Sequence, residues 1–157
     1  PMLLTTAVGN AVETVLPMIE ARGQTLDLDQ PSRPVKIEAD PVRIAQVLEN
    51  LLTNAIKYTP AGGAIGVEAR ALAEAGGGGE LEIRVSDSGI GLAPEALERV
   101  FELFVQAAPA VGEHQGGLGI GLAMVRRLVQ LHGGRVHAES PGPGQGSTFV
   151  VRLPRTA

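Results

Sequence analysis

Val8, Val12, Val15, Leu16 and Ile19 recur at helical spacing and predict an amphipathic helix over residues 6–22, with Gly23 at the C-cap. Gly9 and Pro17 stand against that helix, because each costs helix stability. Leu26 and Leu28 alternate with polar neighbours and predict a strand over 25–29, followed by a short one at 35–37. Asp40-Pro41 joins an N-cap residue to proline at the first helical position, so a second helix starts there and ends before Pro60. Strands at 64–72 and 81–85 follow, joined through Gly76-Gly77-Gly78-Gly79, which reads as a hairpin tip. Pro94 opens a short helix over 95–101, and residues 105–117 carry no clear periodicity. A helix over about 119–131 is stopped by Gly133-Gly134. Strands at 136–139 and 147–153 then form a hairpin around Gly142, Gly144 and Gly146. Short Gly or Pro turns between strands favour an α/β (α+β) two-layer sandwich over a doubly wound parallel sheet. The expected sheet is mixed and largely antiparallel, packed on about three helices.

The 157 residues suit a single domain, residues 1–157, and the 44% of hydrophobic residues can supply its core. With 3% aromatic residues that core must be aliphatic, and with no cysteine there is no disulfide, thiolate metal site or cysteine nucleophile. A net charge of −4 sets up no field that would attract nucleic acid or an anionic membrane. No apolar run approaches the roughly 20 residues of a membrane span. Pro1 stands where an initiator Met would, so the chain is expected to be a piece of a longer one. The 21 glycines mark either loose linkers or places where backbone must come close to something.

Within the helix from Pro41 to Tyr58, Ile44, Val47, Leu48, Leu51, Leu52 and Ala55 share one wide face, which must be core. Arg43, Gln46, Asn50, Asn54 and Lys57 fall within about 40° of another direction, with Tyr58 on the border. Such a stripe is ordinarily a solvated face. This one carries two asparagines at i,i+4, although Asn is a poor residue for a helix interior. Two stacked amides with an ammonium a turn further on suit a hard cation and the phosphates it carries. Asp87-Ser88-Gly89-Ile90-Gly91 is either a turn or an acceptor for an amino group, its glycines letting a flat ring approach backbone. Gly117, Leu118, Gly119, Gly121 and Leu122 lead into a helix, where free N–H groups and the helix dipole can serve phosphate. Close helix packing is the alternative use of those glycines. The dinucleotide fingerprint fails at Leu122 and the Walker pattern lacks its Lys. His114, His132 and His137 lack metal-ligand spacing; His132 reads as a helix-end residue interacting with the dipole.

Together and in this order, these clusters resemble the ATP-binding catalytic domain of bacterial sensor histidine kinases, in the superfamily that includes DNA gyrase and a heat-shock chaperone. The run from Asp40 through Asn50, Asn54 and Lys57 to Tyr58 is similar to that family's N box. Asp87 to Gly91 resembles its G1 box, Phe101 to Phe104 its F box, Gly117 to Gly121 its G2 box, and Gly146 onward its last strand. The likeness covers residues 3–154, nearly the whole chain.

The resemblance implies ATP and Mg²⁺ as cofactors, bound between sheet and helices. It implies that Asn54 holds Mg²⁺ with Asn50 assisting, that Lys57 contacts phosphate, and that Tyr58 lies against adenine. Asp87 would accept the adenine amino group with Thr148 nearby, and residues 105–118 would form an ATP lid. Asn50 stands where hydrolysing relatives carry Glu, which favours transfer of the γ-phosphate to a histidine over ATP hydrolysis. The phosphoacceptor motif is absent, so the target histidine would sit on a separate dimerisation domain of the parent chain. A response regulator would follow as partner, with no nucleic acid and no direct membrane contact by this piece. A cytoplasmic location follows, with a membrane anchor elsewhere in the parent left open. Leu118 replaces a frequent Ser or Thr, and residues 107–117 hold no Lys or Arg, so weak ATP affinity is expected. A degenerate nucleotide-binding regulatory domain and an anti-sigma-type serine kinase are the alternatives.

Overall fold

The computed structural model describes residues 2–31, 35–72, 79–102 and 120–154. In chain order the elements are β1 (Met2–Leu3), α1 (Leu4–Ala21), β2 (Thr25–Asp29), β3 (Lys36–Ile37), α2 (Pro41–Tyr58) and β4 (Ala64–Leu72). They continue with β5 (Glu80–Asp87), α3 (Ala96–Arg99), α4 (Ile120–Leu131), β6 (Arg135–Glu139) and β7 (Ser147–Pro154). Five strands form one sheet in the order β2-β4-β5-β7-β6, parallel between β2 and β4 and antiparallel elsewhere. The mixed, largely antiparallel sandwich is therefore borne out.

Helix α1 forms in spite of Pro17. Leu4, Val8, Ala11, Val15 and Ile19 are buried along it, and that burial outweighs a local cost of a few kcal/mol. It also starts earlier than its periodicity predicts. Met2–Leu3 pairs with Lys36–Ile37, and Leu4 N–H donates to Val35 O at 2.9 Å, a long-range pairing that local sequence does not announce. Helix α2 matches its predicted bounds. Asp40 Oδ1 accepts from Val42 N–H at 2.9 Å, the N-cap bond that the Asp-Pro start implies.

One face of the sheet is aliphatic: Ile65 and Val67, Leu81, Ile83 and Val85, and Phe149, Val151 and Leu153 all point into the core. Helix α2 lies over β5 and packs against both α1 and α4. The other face alternates outward and carries charge. There Glu82, only 3% exposed, meets Arg70 at 3.2 Å, Arg84 at 2.9 Å and Arg152 at 2.9 Å. The predicted short helix contracts to Ala96–Arg99. Phe101 just beyond it is buried and stacks edge-on against Phe149, centroids 5.8 Å apart. Phe104 and Gly76 to Gly78 lie outside the described residues. Among the described residues, no helix is long and apolar enough to cross a membrane.

Candidate functional site

Sheet alternation that buries Leu81, Ile83 and Val85 carries Asp87, the last residue of β5, to the helix-facing side. Its carboxylate is held at both oxygens: Gly89 N–H donates to Oδ1 and Ser147 Oγ donates to Oδ2, each at 2.9 Å. Burial pushes this carboxyl above its ordinary value, and the hydrogen bonds from Gly89 and Ser147 pull it partly back. Thr148 pairs with Ser86, so its side chain leaves on the opposite face of the sheet. The residue whose side chain bonds Asp87 is Ser147, next to the expected Thr148. The pattern held that signal: Ser147 keeps the parity of Phe149 and Val151, while Thr148 keeps that of Arg152.

The turn after Asp87 is clamped between two pieces of backbone. A side chain at Gly89 would run into the carbonyl of Tyr58, and Ile90 N–H donates to that same carbonyl at 3.1 Å. Gly91, at φ +69°, faces the carbonyl of Gly142. From the other side Gly146 N–H donates to Gly89 O at 3.1 Å, and Ser140 Oγ accepts from Leu92 N–H at 3.0 Å. Gly89 and Gly91 are thus explained by protein backbone at close quarters, whatever else approaches them. Gly146 is expected in the turn that leads into the last strand. At φ +76° it packs directly on the Asp87 carbonyl and sets the height of the site wall.

The asparagine stripe lies where the helical wheel puts it, half-buried rather than fully solvated. Asn50 Nδ2 donates weakly to Met124 Sδ on α4 at 3.7 Å. A side chain at Gly121 would come within 3.8 Å of Asn50 Oδ1, so the start of α4 faces the first asparagine. Among the described residues, the side chains of Asn54 and Lys57 make no hydrogen bond or ion pair, which leaves both free to engage a ligand. Tyr58 is half-buried, and burial raises its hydroxyl above the usual value. Leu122 packs against the core. Gly117, Leu118 and Gly119, the lid segment and His114 lie outside the described residues. His132 behaves as a helix-end residue: Nδ1 bonds Leu128 O at 2.8 Å while Nε2 accepts from Asp40 N–H at 3.3 Å.

Neutral oxygen donors and a lysine stand on successive turns, and a fixed carboxylate sits beside the helix end. Among the described residues, no cluster of three or more His, Cys, Asp or Glu could hold a metal. A cation here would rely on the amide oxygens of Asn50 and Asn54, hard neutral donors of the kind Mg²⁺ accepts when phosphate and water complete its shell.

Comparison with known proteins agrees with this geometry. Residues 39–157 match the family described as histidine kinase-, DNA gyrase B-, and HSP90-like ATPase. The chain is 40% identical over 147 residues to sensor protein DivL of Caulobacter vibrioides, covering 94% of this chain but 18% of that protein. Among solved structures it superposes on the mycobacterial sensor histidine kinase MprB with a TM-score of 0.83 at 26% identity, covering 98% of this chain and 97% of that one. Full-length ShkA in complex with AMPPNP gives a TM-score of 0.82 at 32% identity, covering all of this chain and 31% of ShkA. The chain belongs to the histidine kinase-, DNA gyrase B-, and HSP90-like ATPase family, and it corresponds to the catalytic ATPase part of sensor histidine kinases.

Proposed function

We propose that this chain binds Mg·ATP along α2 and donates the γ-phosphate to a histidine on a separate dimerisation domain, in a phosphorelay that ends on a response regulator. The observation that carries the reading is the pairing of the doubly hydrogen-bonded Asp87 carboxylate with the uncommitted Asn54 and Lys57. The Ile90–Tyr58 bond holds the Asp87 turn against the end of α2, within about one turn of Asn54 and Lys57. From Asn50 to Tyr58 the helix rises about 12 Å, a span that suits a nucleotide lying base to terminal phosphate along it.

Asp87 accepts the adenine amino group, since both its oxygens keep an acceptor position beyond the bonds they already make. Tyr58 offers its ring beside the base. Asn54, with Asn50 assisting, binds Mg²⁺ through amide oxygen, and Lys57 meets phosphate as a point charge. When bound, the metal neutralises charge on the phosphates and holds them in line for transfer. Gly121 faces Asn50, and Gly117, Leu118, Gly119, Gly121 and Leu122 would serve the phosphates. Position 50 carries an amide where a carboxylate would activate water, so the acceptor is a side chain of another domain. The same arrangement supports ATP binding without transfer in a regulatory domain.

Titration of the chain with Mg·ATP tests the binding half of the reading. Saturable binding that disappears in Asn54→Ala and Asp87→Asn supports it. Binding indifferent to both substitutions rejects it.

A further inference from the structure

Three buried polar atoms belong to side chains that meet at the C-terminal end of α2. Thr59, the C-cap of α2, is fully buried, and its carbonyl accepts from Arg22 Nη2 and from Gln24 Nε2, both at 2.9 Å. Gln24 Nε2 also reaches Ile56 O at 3.2 Å. Among the described residues, Arg22 Nε, Gln24 Oε1 and Thr59 Oγ1 are buried with no hydrogen-bond partner. Arg22 and Gln24 both bond the Thr59 carbonyl, so the three orphan atoms belong to side chains that meet at the Thr59 peptide.

None can be relieved by local rotation. Turning the Gln24 amide would set its oxygen against the carbonyls that its nitrogen now serves. The Thr59 methyl fills the space over Gly63, where an added side chain would strike it, and this pins the hydroxyl on the far side. Three unpaired buried groups around one peptide is an arrangement that folded proteins rarely carry.

We infer that a single internal water occupies this point. It accepts from Arg22 Nε–H, donates to Gln24 Oε1, and exchanges a hydrogen bond with Thr59 Oγ1. Three bonds is the ordinary complement of a buried water. The water latches the C-terminus of α2 to the segment after α1, a seam that the backbone already follows through Gly62 N–H to Arg22 O and Thr25 N–H to Gly63 O, both at 3.0 Å. Tyr58 immediately precedes Thr59, and its carbonyl holds Ile90 and packs on Gly89. Arg22, Gln24 and Thr59 are therefore positioning residues: they fix the α2 end against which the Asp87 turn rests.

The test uses the 157-residue chain. Water–protein NOE spectra should show a long-lived water at the Arg22 Nε proton; its absence overturns the proposal. Thr59→Val keeps the shape and removes the hydroxyl. Loss of a water-bridged bond should lower the folding equilibrium constant about fivefold and speed exchange of the Ile90 amide by a similar factor, with Thr59→Ser restoring both. If the hydroxyl is truly orphaned, Thr59→Val stabilises the fold instead, and the inference fails. One consequence rests on the proposed function: Thr59→Val should weaken Mg·ATP binding about fivefold, and Thr59→Ser should not. A chain that never binds Mg·ATP would reject that function while the NOE and exchange results still decide the water.

Discussion

Ser147 donates its hydroxyl to Asp87 Oδ2 at 2.9 Å across the end of the β5–β7 ladder, where the two residues are register partners. This bond stabilises the ionised carboxylate against the burial that pushes its pKa up.

Removing it should therefore raise the Asp87 pKa further. Because the folded value already lies above the ordinary 3.8, the ionised acceptor is lost as pH falls through that raised value, and adenine affinity should fall with it. Ser147→Ala should shift this loss to higher pH and weaken Mg·ATP binding about tenfold at neutral pH, since hydrogen bonds to charged groups contribute roughly 1.5–3 kcal/mol. Carboxyl-carbon NMR titration with calorimetric binding reads both. Thr148→Ala, on the other face, should leave the titration unchanged.

Two neighbouring glycines separate close packing from backbone freedom. Gly144 and Gly146 both have positive φ, +81° and +76°, but only Gly146 packs on backbone, that of Asp87. Gly144→Ala should cost about 1 kcal/mol, the left-handed penalty alone. Gly146→Ala should cost about 3 kcal/mol by adding overpacking and should weaken nucleotide binding as the site wall shifts. Equal losses of stability in urea titrations would contradict this account.

The sequence carried the parts of the fold that local pattern can write. Asp40-Pro41 gave the start of α2, and the 3.6-residue period correctly divided its buried face from the Asn50, Asn54 and Lys57 stripe. What local pattern could not carry was pairing at a distance. Met2–Leu3 is a strand only because Lys36–Ile37 lies beside it. Ser147 became the partner of Asp87 only through the ladder register, although its parity was readable. The glycine excess concealed two different uses. Gly89, Gly91 and Gly146 admit protein backbone, a demand that appears only once Tyr58, Gly142 and Asp87 are brought near.

Acid sensitivity should trace to the outer face of the sheet. Burial raises the Glu82 carboxyl, but hydrogen bonds and charge from Arg84 and Arg152 overcome it and leave the net pKa below 4.5. A folded pKa below the unfolded one contributes stability above about pH 4.5, and that stability is lost as pH falls through the lowered value. The arginines are 28–55% exposed, so screening limits the contribution. Glu82→Gln should cost about 1–2 kcal/mol at neutral pH and less in acid. Denaturation series at several pH values read the convergence.

Residues 107–117 contain no lysine or arginine to meet the triphosphate. The isolated chain should therefore bind ATP weakly, and increasing salt should weaken it further through screening at Lys57. Micromolar or tighter binding would contradict this.

Phosphoryl transfer is the claim on which the rest converges. The chain should be combined with a histidine-bearing dimerisation domain supplied as a separate protein and γ-labelled ATP with Mg²⁺. Label should appear on that histidine, require Mg²⁺, and disappear in Asn54→Ala; release of inorganic phosphate without any labelled histidine would contradict the account.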